Sequence, residues 1–188
     1  MCRWVSMRLV LDGERAGLTF EACHLVPGNG KCSRLHPHFH RVSVAVEGSL
    51  SPRRRVLHIY RLKYLVMRMC SELDGKVLLA RYPERVMRIE HLEGAVRVVV
   101  NRKEYILPAE DVAVLPIPSL NTEDLCLYFS ERIVEAMRRE FDVSNIEWVE
   151  VSFDEGGGQM ASHRVEVACR GAKTAPVAHA LPTRQIHE

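Results

Sequence analysis

The most distinctive segment of this 188-residue chain runs from His24 to His40 and holds four histidines and one cysteine. Three of those histidines alternate with other residues, at positions 36, 38 and 40. On an extended strand, alternate side chains point to the same face, so His36 and His38 are about 6.6 Å apart. That spacing lets two imidazoles converge on one metal ion, at the Zn–N distances of roughly 2.0–2.1 Å that zinc requires.

A third metal ligand is needed to complete such a site. His40 is about 13 Å from His36 along the same strand, too far for a shared ion without strain. His24 precedes the segment on what we predict to be the adjacent strand, and it is the better third ligand. Three histidines with one open position are typical of a catalytic zinc ion. We therefore predict Zn²⁺ at His24, His36 and His38; the alternative is a group of satisfied or solvated histidines at a strand end.

The cysteine in the same segment, Cys32, has three open interpretations. It follows Lys31 and precedes Arg34, and nearby cations or a metal favour the reactive thiolate. It is a fourth metal ligand, a nucleophile or general base, or a plain buried thiol. No two of the six cysteines form a C-x-x-C pair, which argues against a disulfide scaffold or a zinc ribbon.

The apolar pattern predicts the elements that must position these residues. Alternation of apolar residues predicts strands, a period of 3.6 predicts amphipathic helices, and the segment 81–115 is interpreted as a β-rich insertion. Strands 4–12 and 18–25 are expected to form a hairpin through an Asp-Gly turn. This order of elements predicts an α+β fold, an antiparallel sheet with two helices on one face. The predicted strands are 4–12, 18–25, 39–47, 146–151 and 165–168, with short candidates at 86–89, 96–100 and 105–107, and the helices are 59–73 and 122–140.

Composition excludes several classes of protein. The chain is 47% hydrophobic and 27% charged, with a net charge of +2 and a pI of about 8.3. Such a balance is ordinary for a globular protein and lacks the basic footprint of a nucleic-acid reader. No apolar run approaches the roughly 20 residues that cross a bilayer, and the first ten residues show no signal-peptide pattern. We expect a cytoplasmic protein that contacts neither nucleic acid nor membrane.

The spacing F-x-x-x-H … C-x-x-x-H-x-H resembles the motif of the 6-pyruvoyltetrahydropterin synthase and 6-carboxytetrahydropterin synthase family. The resemblance continues through Leu73-Asp74, which is similar to the family's L-D-H, and through 123–126 at the start of the second helix. It covers roughly 18–79 and 116–163. The residues that form the motif are Phe20, His24, Cys32, His36 and His38.

The resemblance implies a T-fold, a four-stranded antiparallel sheet backed by two helices. We expect a single domain, 1–169, followed by a tail, 170–188, where the apolar periodicity is lost. The resemblance also implies a homo-oligomer, a trimer or hexamer, and zinc held by the three histidines. It implies a pterin substrate, usually 7,8-dihydroneopterin triphosphate. In the family the cysteine, here Cys32, is a proton-transfer base, and an Asp-His pair beginning at Asp74 relays a second proton.

The sequence departs from the family at two functional positions. The Asp-His pair is Asp74-Gly75, so the relay histidine is missing. The family's pterin-anchoring glutamate falls in register at Phe153, and Asp154 or Glu155 supplies a carboxylate if the strand bulges or shifts.

Thr122, Glu123 and Glu155 are accordingly the predicted substrate contacts. We expect a zinc-dependent lyase, with catalytic Cys32 and Asp74. The alternatives are a non-catalytic zinc-binding T-fold module, which binds a pterin, a nucleotide or a protein partner, and a structural oligomer without metal.

Overall fold

The computed structural model describes residues 5–28, 30–81, 86–100 and 102–167, which form ten strands and three α-helices. Seven strands form the main sheet and three form a smaller one. The main-sheet strands are β1 (Ser6–Leu11), β2 (Thr19–His24), β3 (His36–Ser49), β4 (Lys76–Ala80), β8 (Val112–Leu115), β9 (Ile146–Asp154) and β10 (Met160–Glu166). Their order is β10-β9-β3-β2-β4-β8, and β1 pairs with β3 as well.

The long strand β3 organises the sheet. Its alternate residues Val42, Val44 and Val46 are buried in the core, whereas the opposite face is more polar. β9 pairs with most of its length, while β2 and β1 share its other edge. The metal-ligand candidates lie where β2 pairs with the first residues of β3. β3 begins at His36, three residues before the predicted start at residue 39.

The predicted hairpin between the first two strands is wrong. β1 pairs with residues 44–49 of β3, and β2 pairs with residues 36–41, so both run antiparallel to the same partner. The short helix α1 (Gly13–Ala16) separates them, and Arg15 N donates to Asp12 Oδ1 at 2.8 Å. Because Asp12 caps a helical turn instead of opening a tight turn, the chain continues along β3 rather than folding back.

Two longer helices cover one face of the sheet. α2 (Ile59–Ser71) and α3 (Thr122–Glu140) contribute to a single core with the apolar residues of β3 and β9. α3 has the predicted bounds because Asn121 Oδ1 accepts a hydrogen bond from Asp124 N at 2.8 Å and caps the helix. The expected α+β class is confirmed by this arrangement.

The sheet is larger than the predicted four antiparallel strands. β4 lies between β2 and β8 and is parallel to both. Leu78, Leu79 and Ala80 are all buried, so this strand is covered on both faces and its sequence does not alternate. Continuous apolar runs of this kind are typical of parallel strands, and alternation alone does not detect them.

The segment predicted as an insertion contains a separate antiparallel sheet. Its strands are β5 (Met87–Leu92), β6 (Ala95–Val100) and β7 (Lys103–Pro108), in the order β5-β6-β7. Val96, Val98 and Val100 form a second apolar cluster with Leu25 and Leu79 of the main-sheet region. The small sheet therefore packs beside the end of β2.

The predicted tail, 170–188, lies outside the described residues. No helix in the described ranges has the length and hydropathy to span a bilayer.

Candidate metal centre and neighbouring pocket

The β2–β3 ladder brings three histidines to one point. His24 pairs directly with His36, and His38 follows two residues later on the same face. Each pair among the three rings has a centroid separation of 4.8 Å. Their potential ligand atoms all lie within 4.8 Å of one another. Among the described residues, this is the one group of three or more such side chains close enough to share an ion.

Two of the three imidazoles are oriented by backbone carbonyls. His36 Nδ1 donates to Arg34 O at 2.7 Å, and His38 Nδ1 donates to Glu155 O at 2.8 Å. These bonds leave Nε2 of both rings as the nitrogen free to bind a metal, the usual arrangement of metal-ligating histidines. His24 differs, because its Nδ1 is buried and has no hydrogen-bond partner.

The electrostatics of the group suit a divalent cation. Burial is the main cause that lowers the pKa of His24 to about 3, and the neighbouring His38, His36 and His40 contribute to the same shift. His24 is therefore neutral near pH 7, the form that coordinates a metal. Three imidazoles without a carboxylate are a ligand set that suits zinc. The residues present fit the zinc site that the sequence predicts.

A fourth histidine, His40, lies behind this group on the same face of β3. It is completely buried, with its ring centroid 4.6 Å from that of Phe20 and 5.2 Å from that of Phe153. Burial is also the main cause that lowers the pKa of His40 to about 3. Both of its ring nitrogens lack hydrogen-bond partners. Sequence reasoning excluded His40 as a ligand and gave it no other role.

Cys32 lies in a 3₁₀ turn, Gly30–Ser33, between β2 and β3. The turn is fastened to the end of β2, because Val26 N donates to Cys32 O at 2.7 Å. Cys32 is half-buried and its thiol is free, but it does not join the group of potential ligand atoms. This geometry argues against the interpretation of Cys32 as a fourth metal ligand.

A buried carboxylate adjoins the metal-ligand candidates. Glu155 is only 8% exposed, and its Oε1 is buried without a hydrogen-bond partner. Burial raises the pKa of Glu155, whereas the hydroxyl of Thr122 and the charge of His38 oppose that rise. Glu123 is also close enough to perturb it. The three predicted substrate contacts, at the end of β9 and the start of α3, therefore lie together beside His38.

The position of the carboxylate follows from how β9 ends. Phe153 is fully buried against Phe20 and Phe129, on the helix-facing side of the sheet. Asp154 is the last strand residue and lies on the opposite face, where its carboxylate is 3.5 Å from Arg41 Nη1 and accepts from Gly156 N at 2.6 Å. Glu155 follows the strand end and turns back towards the histidines. A bulge is therefore not required to place a carboxylate there.

The structure does not bring Asp74 into the histidine group. Its Oδ1 accepts from Glu21 N at 2.9 Å, which fixes the start of β4 beside β2. Gly75 follows with φ +71° and donates from its backbone to Glu21 O at 2.7 Å. A left-handed backbone is the conformation glycine adopts most easily, so local folding accounts for Gly75.

A sheet of this topology, backed by two helices and carrying three histidines on neighbouring strands, defines a T-fold protein with a potential metal site. The family model for 6-pyruvoyl tetrahydropterin synthase matches residues 15–166. The chain belongs to the 6-pyruvoyl tetrahydropterin synthase family, as the motif spacing predicts.

Relatives of known name agree with this assignment. A protein of Methanocaldococcus jannaschii named "Putative 6-carboxy-5,6,7,8-tetrahydropterin synthase" is 37% identical over 159 residues, 84% of this chain and 96% of that protein. The solved 6-pyruvoyl tetrahydropterin synthase of Plasmodium falciparum has a TM-score of 0.76 at 26% identity, over 86% of this chain and 98% of that one. The solved 6-pyruvoyl tetrahydropterin synthase of Plasmodium vivax has a TM-score of 0.79 at 23% identity, over 86% of this chain and 99% of that one. This likeness shows the shared fold.

Proposed function

We propose that this protein is a zinc-dependent lyase of the 6-pyruvoyltetrahydropterin or 6-carboxytetrahydropterin synthase type, acting on 7,8-dihydroneopterin triphosphate or a related pterin. The observation that carries the proposal is the position of the buried Glu155 carboxylate next to the three-histidine group. A metal site and a carboxylate anchor side by side suit a ligand with both a hydrogen-bonding ring and an oxygen-bearing side chain.

The carboxylate of Glu155 binds the ring of the pterin in this proposal. A pterin presents an amino group and a ring N–H side by side, and a carboxylate accepts two such hydrogen bonds at once. The unpartnered Oε1 of Glu155 is available for one of them. Thr122 and Glu123, at the start of α3, lie close to the same carboxylate.

The proton chemistry is assigned to Cys32. When bound by His24, His36 and His38, zinc would polarise oxygens of the substrate side chain and so acidify the adjacent C–H group. Cys32, in the turn between the two ligand-bearing strands, is the base that accepts that proton. Asp74 remains a proposed second catalytic residue that lies outside the histidine group, where its Oδ1 accepts from Glu21 N at 2.9 Å.

A homo-oligomer, a trimer or hexamer, is part of the proposal. In the part of the chain that the structure describes, three strands of the main sheet, β1, β8 and β10, each pair with a single neighbour and so have one unpaired edge. Exposed edges of this kind require pairing or cover. Pairing between copies of this chain would meet that requirement.

A second candidate function is a non-catalytic T-fold module that binds zinc and a pterin, a nucleotide or a protein partner. Gly75 favours it, because the family's relay histidine is replaced by a residue without a side chain. Loss of a positioned acid–base group commonly lowers a rate by 10²–10⁴-fold. Binding would persist in such a module while turnover would not.

Turnover and binding, measured on the same zinc-loaded protein, separate the two candidates. Purified protein is incubated with 7,8-dihydroneopterin triphosphate, and products are followed by chromatography while dissociation constants are measured by fluorescence. Product formation that depends on zinc supports the lyase. Pterin binding without product supports the module. Neither binding nor product would contradict both the lyase and a module that binds a pterin.

A further inference from the structure

We propose that His40 is a positioning residue of the metal centre, which accepts a hydrogen bond from Nδ1–H of His24 through one buried water molecule. The inference rests on the metal site of the proposed function, and it concerns a residue to which that function gives no role. Three observations support it: the unpartnered nitrogen of His24, the burial of His40, and the distance between the two rings.

The first observation is an asymmetry among the three metal-ligand candidates. His36 and His38 each donate Nδ1–H to a backbone carbonyl. His24 Nδ1 is buried and has no such acceptor among the described residues. Histidines that bind metals almost always donate their second ring N–H to a carboxylate, a carbonyl or water. His24 therefore lacks the acceptor that orients each of the other two rings.

The second observation is that His40 occupies a position where an apolar ring would fit. Its ring packs against Phe20 and Phe153, and none of its surface is exposed. A buried polar atom without a partner costs about 1–3 kcal/mol, and His40 has two such nitrogens. Phenylalanine would fill this position without that cost, so the imidazole needs a compensating interaction.

The third observation is the geometry between the two rings. The ring centroids of His24 and His40 are 6.1 Å apart, and the two rings form no direct hydrogen bond, because His24 Nδ1 and both nitrogens of His40 lack partners. A single water molecule suits such a gap, because it accepts from one ring and donates to the other. Buried water molecules typically make two to four hydrogen bonds, and the two histidines supply two.

The proton arrangement is consistent throughout this chain of hydrogen bonds. His24 Nδ1–H donates to the water oxygen, and the water donates to the unprotonated nitrogen of a neutral His40. His24 then presents Nε2 to the metal, in the same tautomer as His36 and His38. The remaining N–H of His40 keeps no partner, so part of its burial cost persists in the metal-free protein.

Zinc affinity, measured by competition with a chromophoric chelator on the full chain, tests the proposal. H40F should weaken zinc binding by about 10- to 100-fold, the usual effect of losing a partner of a metal ligand. H40Q, whose amide accepts the same hydrogen bond, should recover much of that loss. The control is H91F, because His91 is exposed on β5 in the small sheet.

Two further measurements separate positioning from a structural role. The melting temperature of metal-free H40F should stay close to that of the wild type, because removal of the unpartnered His40 N–H offsets the lost hydrogen bond to water. The visible spectrum of the cobalt-loaded protein should change in H40F and less in H40Q. Should H40F not fold, H40L and H40Q supply the same comparison of an apolar with a hydrogen-bonding side chain.

The outcomes distinguish this inference from the proposed function. Zinc binding to H40F as tight as to the wild type, with an unchanged cobalt spectrum, overturns the role of His40 and leaves the metal site intact. A wild-type protein that binds no zinc overturns both. Weakened binding in H40F with recovery in H40Q supports the positioning role.

Discussion

His24 and His36 face each other as a directly paired couple across the β2–β3 ladder, with ring centroids 4.8 Å apart and planes inclined by 66°. Backbone hydrogen bonds of the sheet therefore fix the distance between two of the three metal-ligand candidates. His38 joins them through the period of two along β3. A site held by strands is preorganised more strictly than one held by loops.

The first prediction is that zinc content depends on this pair and on His38. The wild-type protein should hold about one zinc per chain, and H36A or H38A should lose most of it, because two imidazoles do not complete a tetrahedral site. Elemental analysis after gel filtration measures the zinc content.

Removal of zinc by a chelator should also lower the melting temperature of the wild type. A ligand at 100 times its Kd adds about 2.7 kcal/mol to the stability of the folded protein, and that stabilisation is lost with the ion.

H91A is the matched control for those variants, because His91 is exposed and lies in the small sheet. Its zinc content should equal that of the wild type. Full zinc occupancy in both H36A and H38A would show that the ion is held elsewhere.

Much of the fold could be predicted because it depends on local periodicity. The period of two places His36 and His38 on one face, and the apolar stripe with the Asn121 cap defines α3. The family itself follows from the spacing of the histidine and cysteine motif.

The rest depends on contacts between distant parts of the chain. The short run 76–80 does not alternate, so its position between two parallel partners is set by burial on both faces. The pairing of both β1 and β2 with β3 depends on a four-residue helix whose capping aspartate also suits a tight turn. The direction of Glu155 depends on where β9 ends, which no local pattern specifies.

The second prediction concerns the buried carboxylate. E155Q should raise the dissociation constant for the pterin by roughly 10- to 100-fold, because hydrogen bonds to a charged group contribute about 1.5–3 kcal/mol. Fluorescence titration with a dihydropterin measures the change. E150Q is the control, since Glu150 pairs with Arg8 at 2.6 Å on the other face of the sheet. Equal affinities for E155Q and the wild type would remove Glu155 from the binding site.

The third prediction concerns the proposed base. C32A should lower kcat by about 10²–10⁴-fold, the range for loss of a general base, while zinc content stays unchanged because Cys32 lies outside the ligand group. C23A is the matched control, a free and half-buried cysteine on β2. Loss of zinc together with activity in C32A would instead favour a ligand role for this thiol.

The fourth prediction concerns the small sheet, where Arg97 lies between Glu90 on β5 and Glu104 on β7 at 2.8 and 2.7 Å. The Arg97 guanidinium holds the pKa of both carboxyl groups below their ordinary value of 4.5. A lowered carboxyl pKa contributes stability above the ordinary value, and that stability is lost as the pH falls through the lowered one.

R97Q should therefore move both carboxyl pKa values back up towards 4.5, and carboxyl NMR titration measures this directly. The stability of the folded protein should fall less steeply with acidification in R97Q than in the wild type. R88Q is the control, because Arg88 contacts Glu90 but not Glu104, so only the pKa of Glu90 should respond. Unchanged titration of both glutamates in R97Q would contradict the ion-pair arrangement.

The last prediction concerns Gly48, where the pairing of β3 with β9 shifts register. A Cβ at this position would collide with the backbone carbonyl oxygen of Asn145 and lie 3.0 Å from Ile146 Cα. The obstacle cannot rotate away, because Ser49 N donates to Asn145 O at 2.9 Å and the Asn145 side chain donates to Ser49 O and Val56 O. G48A should consequently lower the free energy of unfolding by about 1–3 kcal/mol, the usual cost of overpacking. Urea denaturation measures the change, with V10A as the control, because Val10 is an exposed residue of β1 whose truncation should cost less. A G48A protein as stable as the V10A protein would mean that the β3–β9 junction accommodates the added methyl group.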